Sequence, residues 1–152
     1  MKSIEYSEKL IQWIDSKING LQFSSDDRHR LVASCLDMAL EHQKAIILLA
    51  SRSLYGSAFS LIKLVFEAYI RGVWVHHCAT EKEIDKFKKR RLDKKFGELI
   101  QNVEKIDGYQ TLTLSKAKNA GWSIMNSFTH CGFNQVIRRN TESTIEPNFE
   151  IE

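Results

Sequence analysis

Proline occurs once in the chain, at Pro147, and glycine seven times in 152 residues. Both residues interrupt helices, proline by losing an N–H and glycine by its entropy. Their scarcity leaves long stretches free to run as uninterrupted helix. Cysteine is also sparse: Cys35, Cys78 and Cys131 are odd in number and lie far apart, with no CxxC or CxxxC spacing. That pattern excludes a disulfide framework and predicts buried thiols in a reduced, cytoplasmic chain. No long hydrophobic run is free of charge, because the longest apolar segment, 54–75, contains Lys63, Glu67 and Arg71. Each such charge costs about 2.5–3.5 kcal/mol at the centre of a bilayer. The segment therefore reads as a core helix, and no membrane partner is expected. The opening residues MKSIEYSEKL are charged where the apolar centre of a secretory leader would lie, so no leader is expected. HExxH, zinc-type Cys/His spacing, the P-loop, GxGxxG and GxSxG are all missing, so no metal and no cofactor are predicted.

The residues present describe one folded unit. Residues 1–152 are 43% hydrophobic, enough for a single core, and the net charge of +3 is too mild to imply a partner by itself. Ile4, Ile11, Ile14 and Ile18 share one side of a helix that Gly20 stops. The stretch Ser24-Ser25-Asp26-Asp27 suits a helix N-terminus, and the helix it opens extends to about residue 53. A third helix covers 55–79. Thr80 and Glu83 have capping-box spacing and restart a charged helix. A fifth helix is expected over 92–106 and a sixth over 112–130, the latter ended by Gly132. The expectation is an all-α antiparallel bundle of five to six helices with a long, apolar central helix. Residues 140–152 form a polar tail, or the opening turn of a further helix cut short, since Pro147 precedes Glu150.

The third helix is apolar round most of its circumference. Ser60, Lys63, Glu67 and Arg71 mark a narrow polar stripe, and Glu67 and Arg71 have the favourable order for an i,i+4 ion pair. That pair reads either as a surface or structural bridge or as one wall of a cleft. His42 lies on the apolar stripe of the second helix and reads as a hydrogen-bonded core residue. His76 and His77 are consecutive, so their side chains should diverge by about 100° and not share a metal. His29, in the first turn of the second helix, points to nothing.

Residues 119–137 contain no Asp, Glu, Lys or Arg, although such residues are 27% of the chain. One face of the sixth helix carries Ser115, Asn119, Trp122, Asn126 and His130. A solvated face would normally hold lysines and glutamates. Trp, amides and an imidazole imply burial with hydrogen bonds, against another subunit or inside a polar pocket. Arg138 and Arg139 follow directly. The run at 82–95 has eight basic residues against three acidic ones. It reads as a solvated face, or as a contact for phosphates or an acidic protein partner.

Three segments, SAFSLIKLVFEAYIRGVWVHHCATEKEIDKF at 57–87, NSFTHCGFNQVIRR at 126–139 and TIEPNF at 144–149, resemble an uncharacterised bacterial family of all-helical chains. More distantly, the chain is similar to the higher eukaryotes and prokaryotes nucleotide-binding superfamily of helical bundles. That likeness implies a dimer and a ribonuclease cleft of the toxin or phage-defence type, built on an arginine and a histidine with four to six residues between them. Before His130 those positions hold Ser123, Ile124 and Met125, so Arg71 or Arg138 would have to supply the cation.

Two readings of function follow. In the first, a homodimer binds RNA or a nucleotide in a polar cleft. Arg71, Arg138 and Arg139 hold phosphate, Asn126 and His130 orient or deprotonate a hydroxyl, and Glu67 fixes Arg71. In the second, the same polar cluster specifies packing in a non-catalytic dimeric interaction module. The third or sixth helix is expected near the two-fold axis.

Overall fold

A computed structural model describes residues 2–149, with Lys2 described by its backbone alone. It is all-helical, with seven α-helices among the described residues: α1 (Lys2–Ile18), α2 (Asp27–Ser51), α3 (Tyr55–His77), α4 (Glu81–Lys88), α5 (Phe96–Val103), α6 (Thr113–Thr129) and α7 (Phe133–Ile137). The expectation of five to six helices is therefore corrected upward. The added element is the short α7, whose five residues are too few for a hydrophobic period to register. The fifth helix is shorter than the expected 92–106. Lys95 adopts an extended N-cap conformation and its backbone N–H donates to the Glu98 carboxylate at 2.7 Å, so helix starts only at Phe96.

The helix starts follow local chemistry. Asp26 accepts from the His29 N–H and caps α2, and Thr80 with Glu83 forms a full capping box at α4. α2 and α3 are joined by three residues, 52–54, and so run antiparallel. They cross closely because Gly72 has no side chain. A Cβ there would lie 3.1 Å from the Leu36 Cδ2 and 3.3 Å from the Cys35 Cβ.

α3 packs against α2, α5 and α6, while α1 lies on α2. The core forms where α3 meets α5: Ile70, Trp74, Val75, Leu99, Ile100 and Val103 are each less than 2% exposed. The Trp74 indole N–H donates to the Asn102 side-chain carbonyl at 3.2 Å, so the largest buried residue keeps its polar atom satisfied. Side-chain bonds also span distant elements. Arg28 bonds both the Val75 carbonyl and the Glu81 carboxylate at 2.6 Å, and Lys88 pairs with Asp27.

Residues 141–149 form no helix. Asn140 and Ile145 make an isolated antiparallel bridge, and the irregular tail beyond it sets Phe149 against Tyr55 and Phe59 of α3. The expected opening helical turn near Pro147 is thus absent through residue 149; Glu150 to Glu152 lie outside the described residues. No helix among the described residues is long and apolar enough to cross a membrane.

Candidate functional site

Arg138 and Arg139 sit just past α7, where the chain would be free to wander. Two backbone bonds hold them: the Asn148 N–H donates to the Arg138 carbonyl at 2.7 Å and the Glu146 N–H to the Arg139 carbonyl at 2.9 Å. The Arg139 guanidinium then reaches the start of α3, and that of Arg138 the Phe149 ring. Arg138 lies over the Phe149 ring, 5.9 Å from its centre. Arg139 Nη2 comes so close to Gly56 that a Cβ built there would stand 3.4 Å away. Phe149 itself packs against Tyr55, Phe59 and Phe128, which seats the tail on the first turns of α3.

The α3 N-terminus at this corner carries no side-chain cap on Leu54 and no acidic residue in its first turn. Its leading N–H groups and dipole therefore present positive potential, to which the two arginines add. Gln135 lines the same corner, and its Oε1 is buried without a hydrogen-bond partner in the protein.

α6 ends beside it. Ser60 donates to the Phe128 carbonyl at 2.9 Å and Thr129 donates to the Ser60 carbonyl at 3.3 Å, locking the start of α3 to the end of α6. His130 is the C-cap of α6, and its N–H donates to the Asn126 carbonyl at 3.0 Å. Its side chain is exposed, and that of Asn126 is half-buried. The stop after α6 is also not the expected one. Cys131, with φ of 52°, takes the left-handed position. Gly132 is needed for space, since a Cβ there would fall 2.6 Å from the Ser127 Oγ.

Glu67 and Arg71 lie elsewhere. Eleven and fifteen residues beyond Gly56, they stand roughly 16 and 22 Å further along the α3 axis at 1.5 Å per residue. The expected Glu67–Arg71 pair does not form. Glu67 points back to Lys63 at 3.8 Å, because Lys63 is held over the Trp122 ring, 5.1 Å from its centre. Trp122 stacks on Phe96 from its other neighbour, with ring centres 5.0 Å apart and 17° between planes, and Lys118 also approaches it. Trp122 thus faces α3 and α5 inside the chain. Arg71 lies near Cys35, where its charge lowers the thiol pKa against the stronger upward push of burial. The six expected site residues therefore divide. Arg138, Arg139, Asn126 and His130 share one end of the bundle, and Glu67 and Arg71 leave it.

The histidines give a second correction. The His76 and His77 rings do not diverge; their centroids are 4.3 Å apart, and His29 stands 6.1 Å from His76. Partial burial lowers the His76 pKa, with the neighbouring His77, His29 and Arg28 pushing the same way. Among the described residues no group of three His, Cys, Asp or Glu side chains is arranged to hold a metal.

Sequence reasoning missed Glu104. It is buried, accepts from the Ser115 N–H at 2.7 Å and from the Ser115 hydroxyl, and so caps α6 from another element. No spacing rule finds a cap eleven residues upstream. The basic run is less free than its composition implies, because Lys88 pairs with Asp27, Lys89 with Asp85 and Lys94 with Glu83.

Residues 36–150 match a protein family described as a family of unknown function, DUF6988. The match spans most of the chain, and the chain belongs to that family. No curated protein and no solved structure matches it.

Proposed function

We propose that the corner where α3 begins binds a phosphate group of RNA or of a nucleotide. The observation that supports this is the seating of the Arg139 guanidinium against Gly56, on the first turn of an uncapped helix. Backbone N–H groups, a helix dipole and a planar cation converge there, which is the chemistry a phosphate takes. Arg138 lies alongside on Phe149, and His130 brings an imidazole to the same end of the bundle. Glu67 and Arg71 take no part in this reading, so it is a reading of binding, with His130 the group to examine for proton transfer. The toxin or defence setting implied by the distant superfamily resemblance would follow only if the bound molecule is RNA.

Fluorescence anisotropy with a labelled oligoribonucleotide and with a labelled nucleoside triphosphate tests the reading at low salt. Wild type should bind one of them and release it as salt rises. Arg138→Ala with Arg139→Ala should weaken binding by about tenfold or more, as expected for charge-assisted bonds worth roughly 1.5–3 kcal/mol each. No salt-sensitive binding by the wild type, or equal binding by the double variant, defeats it.

A further inference from the structure

Between α1 and α3, with α2 as its floor, runs an open apolar groove of about 630 Å³. Ile14 and Ile18 form one wall, Leu36 and Leu40 the floor, and Val65 and Tyr69 the far wall. Its mouth is wide: Leu21 and Phe23, which border it, are 65% and 61% exposed.

α1 adds a second apolar surface. Tyr6, Leu10 and Trp13 are 70%, 49% and 59% exposed, although an isolated surface helix would carry polar residues there. At about 100° per residue these three fall within an arc of roughly 60°. That arc is centred roughly 100° round the helix from Ile11, Ile14 and Ile18. The side it lies on is decided by two flanks of α1. Glu8 and Gln12 border a different depression with Ile47 and Leu48, while Ile14 and Ile18 border the groove. The order round the helix is Ile11, Ile18, Ile14, Leu10, Tyr6, Trp13, so the exposed stripe continues the groove wall outward. Groove and stripe are one surface.

We propose that this surface is covered by a second copy of the chain, with α1 of each copy laid into the groove of the other across a two-fold axis. An amphipathic helix is the natural occupant of a groove with helical walls, and the chain carries both halves of the contact, as an isologous interface requires. The two α1 helices then run antiparallel side by side, with Leu10, the midpoint of α1, nearest the axis.

The area is sufficient. Taking ~150–250 Å² for a fully exposed large side chain, the stripe, Leu21 and Phe23 together with the open parts of Ile18, Leu36 and Tyr69 leave on the order of 600–1,000 Å² of apolar side chain open per copy. A stable interface takes about 800 Å² per partner. A small apolar ligand fits the observations less well. Seated in the groove, it would leave Tyr6, Leu10 and Trp13 in water. Lys9 and Lys17 stand 6.0 Å over the Tyr6 and Trp13 rings and would move to the rim of the contact. The interface engages α1, which precedes the family match beginning at residue 36. It does not place the third or sixth helix at the axis.

Sedimentation equilibrium on the full chain at about 50 µM, where a dimer of micromolar Kd is populated, reads the mass. Wild type should sediment as a dimer, and Leu10→Glu with Trp13→Glu as a monomer of unchanged helical circular dichroism. A second measurement does not depend on that variant folding. In a Cys131→Ser background, Leu10→Cys should oxidise to a covalent dimer, whereas Gln12→Cys, on the opposite flank, should not. A monomeric wild type, a dimer indifferent to the two glutamates, or equal cross-linking at both positions overturns the proposal. A monomer that instead binds 1-anilinonaphthalene-8-sulfonate and loses it on Leu36→Glu overturns it in favour of a small-ligand groove.

Discussion

Consecutive residues at the end of α6 are constrained for opposite reasons. Cys131 adopts a left-handed conformation that suits glycine, while Gly132 has ordinary dihedrals and no room for a side chain. An L-residue in that conformation costs roughly 1–2 kcal/mol, so Cys131→Gly should raise stability by about 1 kcal/mol in a urea melt. Gly132→Ala should lower it, because the Ser127 hydroxyl has to leave its bond to the Asn134 N–H. Gly132 is visible in the sequence as a stop, but which of the two residues needs to be glycine is not, since that depends on a serine five residues back. His76 gives a pH effect with a definite sign. Its folded pKa lies below the ordinary value of 6.5 because of partial burial and the nearby His77, His29 and Arg28. The unfolded chain therefore takes up the proton first. Stability from this source is complete above about pH 6.5 and falls as pH drops from there through the folded value. Melting temperature should decline from pH 7 to pH 5, and His76→Gln should flatten that decline. An unchanged slope would assign the acid sensitivity to other groups.

Among the elements, helix starts were legible where an Asp or Thr side chain caps a backbone N–H within three residues, and not at α5, where Lys95 offers only its own backbone N–H to Glu98. Asp26 at α2 and Thr80 with Glu83 at α4 are of this kind, and spacing alone finds them. Thr80→Ala should cost about 1 kcal/mol. α6 has the opposite character. Leu112 before it is left-handed and offers no side-chain cap, so the buried Glu104 supplies one from the end of α5. Glu104→Ala should strand the Ser115 N–H and destabilise by roughly 1–3 kcal/mol. Glu104→Gln, which keeps a carbonyl oxygen in place, should recover part of that loss. If both variants melt like wild type, the bond is incidental. The uncharged face of α6 was also visible in the sequence, but its orientation was not. Trp122 is drawn inward by Phe96 on a separate element and Lys63 on another, and no periodicity within α6 encodes them.

At the scale of the molecule, the all-helical architecture follows from composition, whereas the candidate site depends on the tail after α7 meeting the start of α3. The sequence places Arg138 and Arg139 together but contains no sign that Gly56 is their neighbour. It also pairs Glu67 with Arg71 by spacing, and the fold overrules this because Trp122 recruits Lys63. Phe149→Ala tests how far the tail organises the corner. Losing its ring contacts with Tyr55, Phe59 and Phe128 should cost about 1 kcal/mol. If the Phe149 ring sets the position of Arg138, phosphate affinity should fall with it, and unchanged affinity would show the arginine to be held by its backbone alone. The docked tail has a consequence for biosynthesis. Tyr55 emerges from the ribosome roughly 90 residues before Phe149, a delay of about 5–20 s at ordinary elongation rates. During that interval α2 and α3 can pair, yet the arginine corner does not exist. A nascent chain arrested before residue 138 would be helical and partly packed but would lack this corner, so the phosphate site we propose would form only late in translation.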